Sequence, residues 1–229
     1  MTDRSTTLFS KLNWLRAGVL GATDGIVSIA GIVMGMAAAT SNSSALFIAG
    51  LAGLVAGALS MAGGEYVSVS SQKDTELAAV EKVRDILAED PDQALSDLAH
   101  SFQAQGLSPD LAAQVAQSLS DHDAVTAQTQ ARYGISAHEQ NSPWMAALAS
   151  FSSFVVGAVI PLLAMVCSPA RARIPATIVA VMVALALTGW ISAWLGQSSI
   201  PKALARNCVV GAATMAITYI VGNMVGIHL

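Results

Sequence analysis

The amino-acid sequence predicts an all-α membrane protein: five transmembrane helices, with a cytoplasmic helical insert between the second and third. Three observations carry that expectation. Of 229 residues, 54% are hydrophobic and 11% charged, with a mean hydropathy of +0.58, which is too apolar for a soluble domain of ordinary composition. Five apolar stretches, at 17–39, 45–67, 144–166, 174–195 and 207–227, reach the ~20 residues that a helix needs to cross a bilayer. Between the second and third the composition inverts, because 70–141 holds twelve Asp and Glu against four Lys and Arg, a formal charge of −8, whereas the remainder is +4. The implied organisation is an N-terminal membrane part at 1–69 with two spans, an acidic cytoplasmic domain at 70–142, and a C-terminal membrane part at 143–229 with three.

The first apolar run follows Arg4, Lys11 and Arg16 and is longer than a signal-peptide core, so it reads as a retained helix. Nine of the eleven Lys and Arg fall at the N-terminus, in the insert or at 197–206, leaving Arg171 and Arg173 on the other side. The positive-inside rule then puts the N-terminus and the insert in the cytoplasm and the C-terminus outside or in a lumen. The Ala-rich composition and short termini point to a bacterial plasma (inner) membrane. No breaker separates Val67 from Leu87, so the second span is expected to continue into the insert as one long helix. There Leu77, Val80, Val83 or Arg84, and Leu87 keep an apolar spacing that ends at Asp90-Pro91, and Leu95, Leu98 and Phe102 continue it to Gly106. Ser108-Pro109-Asp110 starts a further helix with Leu111, Val115 and Leu119 on one face, and Gly134 stops it. Pro161 after Gly157 suggests a kink in the third span. Cys167 and Cys208 sit at predicted membrane edges with no spacing pattern, which reads as packing and not as a disulfide or metal site.

Outside 70–141 the only acidic side chains are Asp3, Asp24 and Glu65. Asp24 lies inside the first span and Glu65 near the end of the second. A carboxylate in a transmembrane helix costs at least ~2.5 kcal/mol, so it normally faces a bundle interior and binds or relays something positive. In the first span Gly21, Asp24, Ser28, Gly31 and Gly35 form one i+3/i+4 stripe, and in the second Gly53, Gly57, Met61 and Glu65 recur every four residues. Small residues at that spacing let membrane helices approach closely, which places the polar groups in a packed seam. Counting inward from the cytoplasmic end, Asp24 and Met61 both lie roughly 10 Å deep, and Glu65 lies nearer the mouth. A carboxylate with a soft thioether suits a transition metal better than Mg²⁺ or Ca²⁺, and Fe²⁺ or Mn²⁺ fits that pair. The plainer reading makes Met61 packing filler and lets Asp24 bond Ser28 or Thr23. In the fifth span Gly211, Met215, Tyr219 and Asn223 form another i+4 row that close packing explains.

Within the insert two clusters could hold metal: Asp97 with His100 at a spacing of three, and Asp121-His122-Asp123. Neither has a diagnostic spacing, and a solvated acidic face is the favoured reading. No nucleophile with an oriented base is visible, since His100, His122 and His138 lie in the insert and His228 is near the end of the chain. No phosphate-binding Gly loop or nucleic-acid pattern appears. The chain reads as neither enzyme nor nucleic-acid binder, and no tightly bound cofactor is expected.

At GVLGATDGIVSIAGIVMG (18–35) and AGLAGLVAGALSMAGGEYVSVSSQKD (49–74) the chain resembles the vacuolar iron transporter family, and the likeness extends through YGIS (133–136) and SFVVGAVIPLL (153–163). That resemblance implies a homodimer of five-helix subunits, a pathway along the two-fold seam, and exchange of cytoplasmic Fe²⁺ for protons. It places the family's pore Asp and Met on Asp24 and Met61, and its Gly-Glu-Tyr glutamate on Glu65. Two departures stand out. Thr23 replaces an Asn before the pore Asp, and the family's cytoplasmic metal-binding glutamates align with Val83, Ile86, Ala94 and Asp97, of which only Asp97 is acidic. Glu76, Glu81, Asp85 and Glu89 could supply a looser site in their place. The expected function is a divalent metal-ion transporter moving Fe²⁺, or Mn²⁺, in exchange for protons. The alternative is a membrane-anchored interaction or regulatory protein with a vestigial pore and a partner-binding acidic insert.

Overall fold

Apolar runs that must satisfy their own backbone hydrogen bonds in lipid become helices, and the computed structural model is helical, among its described residues, apart from short connections. It describes the backbone of residues 3–135 and 142–226, with side chains from Gly18 onward. Among the described residues there are seven α-helices and no strand: α1 (Asp3–Ala39), α2 (Ser43–Glu89), α3 (Pro91–Ala104), α4 (Pro109–Tyr133), α5 (Pro143–Cys167), α6 (Arg173–Leu195) and α7 (Ile200–Gly226). Five are long and apolar enough to cross a membrane: α1 over Gly18–Ala39, α2, α5, α6 and α7. α7 starts seven residues before the expected fifth span. Hydropathy discounts Lys202 and Arg206, but a helix can begin outside the bilayer, and Pro201 in its first turn needs no amide partner. The second span does run on as one helix, α2, to Glu89.

The chain divides into two compact units, Met1–Val67 with Pro143–Leu229, and Ser68–Ser142. In the first, α1 is the central helix. Its Ile26, Ile29, Ala30, Val33 and Met34 form one buried cluster with Leu54 and Ala58 of α2, Phe154 and Leu162 of α5, Leu185 of α6 and Met215 of α7. Close approach depends on missing side chains. A Cβ on Gly25 would sit 2.9 Å from the Ala158 nitrogen and closer still to the Phe154 carbonyl oxygen, and one on Gly157 would strike the Ala22 carbonyl. Farther along α1 the neighbour changes, because Gly35 and Gly222 meet backbone to backbone against α7. α2 leans on the same bundle through Gly50, against Leu162 and Val33, and Gly53, against Ile32. At the end of the unit where α2 begins, Arg173 donates to the Ser43 hydroxyl at 2.6 Å and to the Ser168 carbonyl at 3.3 Å. That ties the starts of α2 and α6 to the end of α5. At the other end the Tyr66 and Trp144 rings lie 4.8 Å apart.

In the second unit Asp90 caps α3 by accepting from the Gln93 amide at 2.9 Å, and Gly134 ends α4 in the left-handed region (φ 67°). Two expectations for α4 need correction. Leu111 and Leu119 are exposed, and the buried residues are Ala112, Ala116, Gln128 and Thr129. Alanines let α4 approach α3 closely, so the larger residues point away. α4 is also broken at Asp123, whose backbone leaves the helical region and whose carboxylate accepts from the Thr126 amide and hydroxyl, capping the following segment.

Because the obstacles at Gly25 and Gly157 are backbone atoms that cannot rotate aside, Gly25→Ala and Gly157→Ala should each cost about 1–3 kcal/mol. Thermal melting of the detergent-solubilised chain, followed by size exclusion, should show a lower midpoint for both. Gly63→Ala, with open space around the new methyl group, should leave the midpoint unchanged or slightly raised.

Candidate functional site

The stripe expected on α1 is split by the packing. Gly21 and Gly25 face α5 and Gly31 and Gly35 face α7, while Asp24 lies on the exposed surface of the single chain. Within the single chain Asp24 therefore lies outside the seams that the glycines pack, because the glycine contacts consume the flanks of α1 and turn the carboxylate outward. Its Oδ1 accepts a hydrogen bond from the Ser28 hydroxyl at 2.6 Å. Thr23, the neighbouring departure, has a buried hydroxyl with no hydrogen-bond partner among the described residues, as does Ser150 on α5.

On α2 the four-residue row does turn toward the bundle. Gly53 faces Ile29 and Ile32, Gly57 faces the Phe154 ring, and Met61 is half-buried against the central cluster. Glu65 is half-buried one turn farther on, next to Tyr66. Asp24 and Met61 thus occupy different environments in the single chain, one outward on α1 and one against the core.

The insert candidates do not converge. Among the described residues no group of three His, Cys, Asp or Glu side chains is placed to hold a metal ion; His138, His228 and Ser136 lie outside the described residues. Several of the acidic candidates have local partners. Glu76 accepts from Gln72 at 2.9 Å, and Glu81 pairs with Arg84 at 2.6 Å. His100 Nδ1 lies 2.8 Å from the Ser96 carbonyl oxygen. His122 lines a cavity of about 440 Å³ with Phe102, Leu119, Asp123 and Gln130. Val83 and Ala94, at positions where glutamates were expected, are buried, so the apolar residues there serve as interior.

Asp97 belongs to a network that sequence reasoning missed. It accepts from Gln93 at 2.8 Å and from Arg132 at 2.7 Å. Arg132 also donates to Gln128 Oε1 at 3.0 Å, and buried Gln128 donates to the Ala94 carbonyl. The chain runs from one side of α3 through α4 and back to α3, which clamps the two helices. A signal was present in the sequence, because Arg132 is the only Lys or Arg between Arg84 and Arg171 and an isolated base amid acids will find one. The hydrogen bond from Gln93, and then that from Arg132, hold the Asp97 carboxyl below its ordinary 3.8. A depressed carboxylate stabilises the fold above its unfolded pKa, and that contribution is lost as pH falls through the lower folded value.

Hydrogen exchange should read this clamp directly. Gln128→Leu, which strands a buried carbonyl, should speed exchange in 91–104 by an opening cost of about 1–3 kcal/mol. Arg132→Met should act more weakly, since the ion pair is partly solvated. Wild type should lose protection of α3 as pH drops below about 4, and Arg132→Met should lose less.

Comparison with known proteins bears on the whole chain. The model of the VIT family matches residues 15–223. A vacuolar iron transporter of Acanthamoeba castellanii is 41% identical over 96% of this chain and 82% of its own length. Vacuolar iron transporter homolog 1 of Oryza sativa subsp. japonica is 36% identical over 96% of this chain and 77% of its own length, and homolog 4 of Arabidopsis thaliana is 34% identical over 99% and 92%. With five helices long and apolar enough to cross a membrane among the described residues and a match across nearly its full length, the chain is an integral membrane protein belonging to the VIT family.

Proposed function

We propose that the protein is a proton-coupled transporter that moves Fe²⁺, or Mn²⁺, out of the cytoplasm along a seam between two copies of the chain. The observation that carries this reading is the placement of Asp24: a carboxylate within a membrane span, exposed on the surface of the single chain. Facing hydrocarbon, it would cost at least ~2.5 kcal/mol on insertion scales and more on others. A second copy applied to that face of α1 would remove it from lipid and bring two carboxylates together, which is chemistry for a divalent cation. Relatives named as iron transporters support the same cargo. Family membership makes the protein a transporter, not an enzyme.

In this mechanism Asp24 takes up metal and proton by turns. A lone pair that holds a proton cannot also hold a cation, so loading one releases the other and the two fluxes are coupled. Met61 would add a polarizable sulfur that favours Fe²⁺ over harder ions, and Glu65, near the end of the span, would receive the ion first. The charge pattern puts the N-terminus and the insert on the cytoplasmic side. In the insert, Glu76, Glu81, Asp97, His100 and His122 act as surface and clamp residues, with no metal held among them.

One observation favours a second reading. Two acids of the insert are engaged locally, Asp97 with Arg132 and Glu81 with Arg84, so the insert could serve as a stable docking platform in a protein whose pore is vestigial. The two readings part on Asp24. In proteoliposomes with an acidic interior, the transporter reading expects metal uptake that falls by about tenfold or more in Asp24→Asn. The platform reading expects no change there and loss of function on deleting 70–141. Met61→Leu conserves volume and should weaken Fe²⁺ uptake more than Mn²⁺ uptake, measured as the half-saturating concentration of each. Absence of metal flux in the wild-type chain would reject the transporter reading outright.

A further inference from the structure

We propose that Ser28 is the residue that sets cation selectivity at Asp24, by engaging one carboxylate oxygen and holding the carboxylate so that the other oxygen meets an ion more readily. This rests on the transport role of Asp24 given above.

Serine and threonine hydroxyls inside helices commonly donate to the carbonyl four residues back. Ser152 does so to Leu148 at 2.8 Å, and Thr218 to Thr214 at 2.8 Å. Ser28 departs from that habit. The residue four back is Asp24, and the hydroxyl donates to its side chain, Oδ1, at 2.6 Å. That length is in the range of charge-assisted O–H···O⁻ bonds, so the contact withdraws charge from Oδ1 and fixes the rotation of the carboxylate. The backbone beneath is rigid, because Gly25 is locked against α5 and Ile26 and Ile29 are buried in the central cluster. A ligand oriented by a neighbouring hydrogen bond on a fixed helix is preorganised.

The consequence is a choice of binding mode. Ca²⁺ takes six to eight oxygens, and carboxylates often serve it with both oxygens at once. Smaller first-row ions are satisfied by one oxygen from each carboxylate together with softer donors. With one lone pair of Oδ1 engaged by Ser28, Oδ2 is the better donor and the two-oxygen mode, which needs both oxygens turned to one ion, is disfavoured. Freed of Ser28, the carboxylate could turn and chelate, and discrimination against Ca²⁺ would weaken. Ser28 is thus a positioning residue, acting through Asp24.

The test measures Mn²⁺ uptake into proteoliposomes with Ca²⁺ as competitor and takes the ratio of the Ca²⁺ inhibition constant to the Mn²⁺ half-saturating concentration. Ser28→Ala should lower that ratio by about tenfold, with maximal Mn²⁺ flux much less affected. Ser28→Thr, which keeps the hydroxyl, should restore the wild-type ratio. Ser28→Cys, of similar size but a poor donor, should follow Ser28→Ala and serves in its place if the alanine variant is not recovered folded. An unchanged ratio in the Ala and Cys variants overturns the proposal, as does an equal fall in Ser28→Thr, which would mark a role of shape. Asp24→Asn in the same preparation keeps the two claims apart: unchanged flux there removes the pathway itself, whereas lost flux with an unchanged Ser28→Ala ratio removes only the role of Ser28.

Discussion

The contact between α1 and α5, made backbone to backbone at Gly25 and Gly157, is the constraint on which the arrangement of the membrane unit depends. Lipid offers helices no hydrophobic drive to associate, so they gain by approaching closely where side chains are absent. α1 does this twice, against α5 through Gly21 and Gly25 and against α7 through Gly31 and Gly35. α2 takes a further face through Gly50 and Gly53. With those flanks consumed, Asp24 has nowhere to turn but outward. The position of the charge follows from where glycines allow helices to meet.

That outcome separates two kinds of acid in one chain. Asp24 lies in a span, and among the described residues its hydrogen-bond partner is Ser28, on one oxygen. In the insert, Glu76, Glu81 and Asp121 have partners within a turn, and Asp97 has Arg132 across the helix pair. A carboxylate already satisfied by a guanidinium has little to gain from a metal ion. A carboxylate on a membrane helix has much to gain from anything that neutralises it. The same residue type thus serves as a structural clamp in one unit and as the proposed ion carrier in the other.

Hydropathy alone made the five spans legible, because length and composition are local properties, and the unbroken run from Val67 to Leu87 announced the long α2. Which way a residue faces is not local. Gly21, Asp24 and Gly31 share a stripe by spacing, yet α5 and α7 divide its glycines between them and leave Asp24 exposed, and only the packing says which takes which part. Leu111 and Leu119 misled for a related reason, since alanine, and not leucine, marks the side of α4 that comes close to α3. The break at Asp123 was hidden because Asp-x-x-Thr can cap a helix start anywhere and looks ordinary inside a helical run. For the site, the candidate residues could be read from the sequence, but the hydroxyl that holds Asp24 could be named only as one of two possible partners.

Whether a second copy covers the Asp24 face decides the account, and cross-linking reads it most directly. Leu20 lies one turn before Asp24 and is exposed, as is Val179 on α6. With Cys167 and Cys208 replaced by Ser, a single cysteine is introduced at either position and the chain is treated in membranes with a short bismaleimide. A seam along α1 predicts a two-chain product from Leu20→Cys and none from Val179→Cys. If Leu20→Cys stays a single chain while a lipid-soluble thiol reagent labels it freely, Asp24 faces hydrocarbon and the shared pathway does not exist.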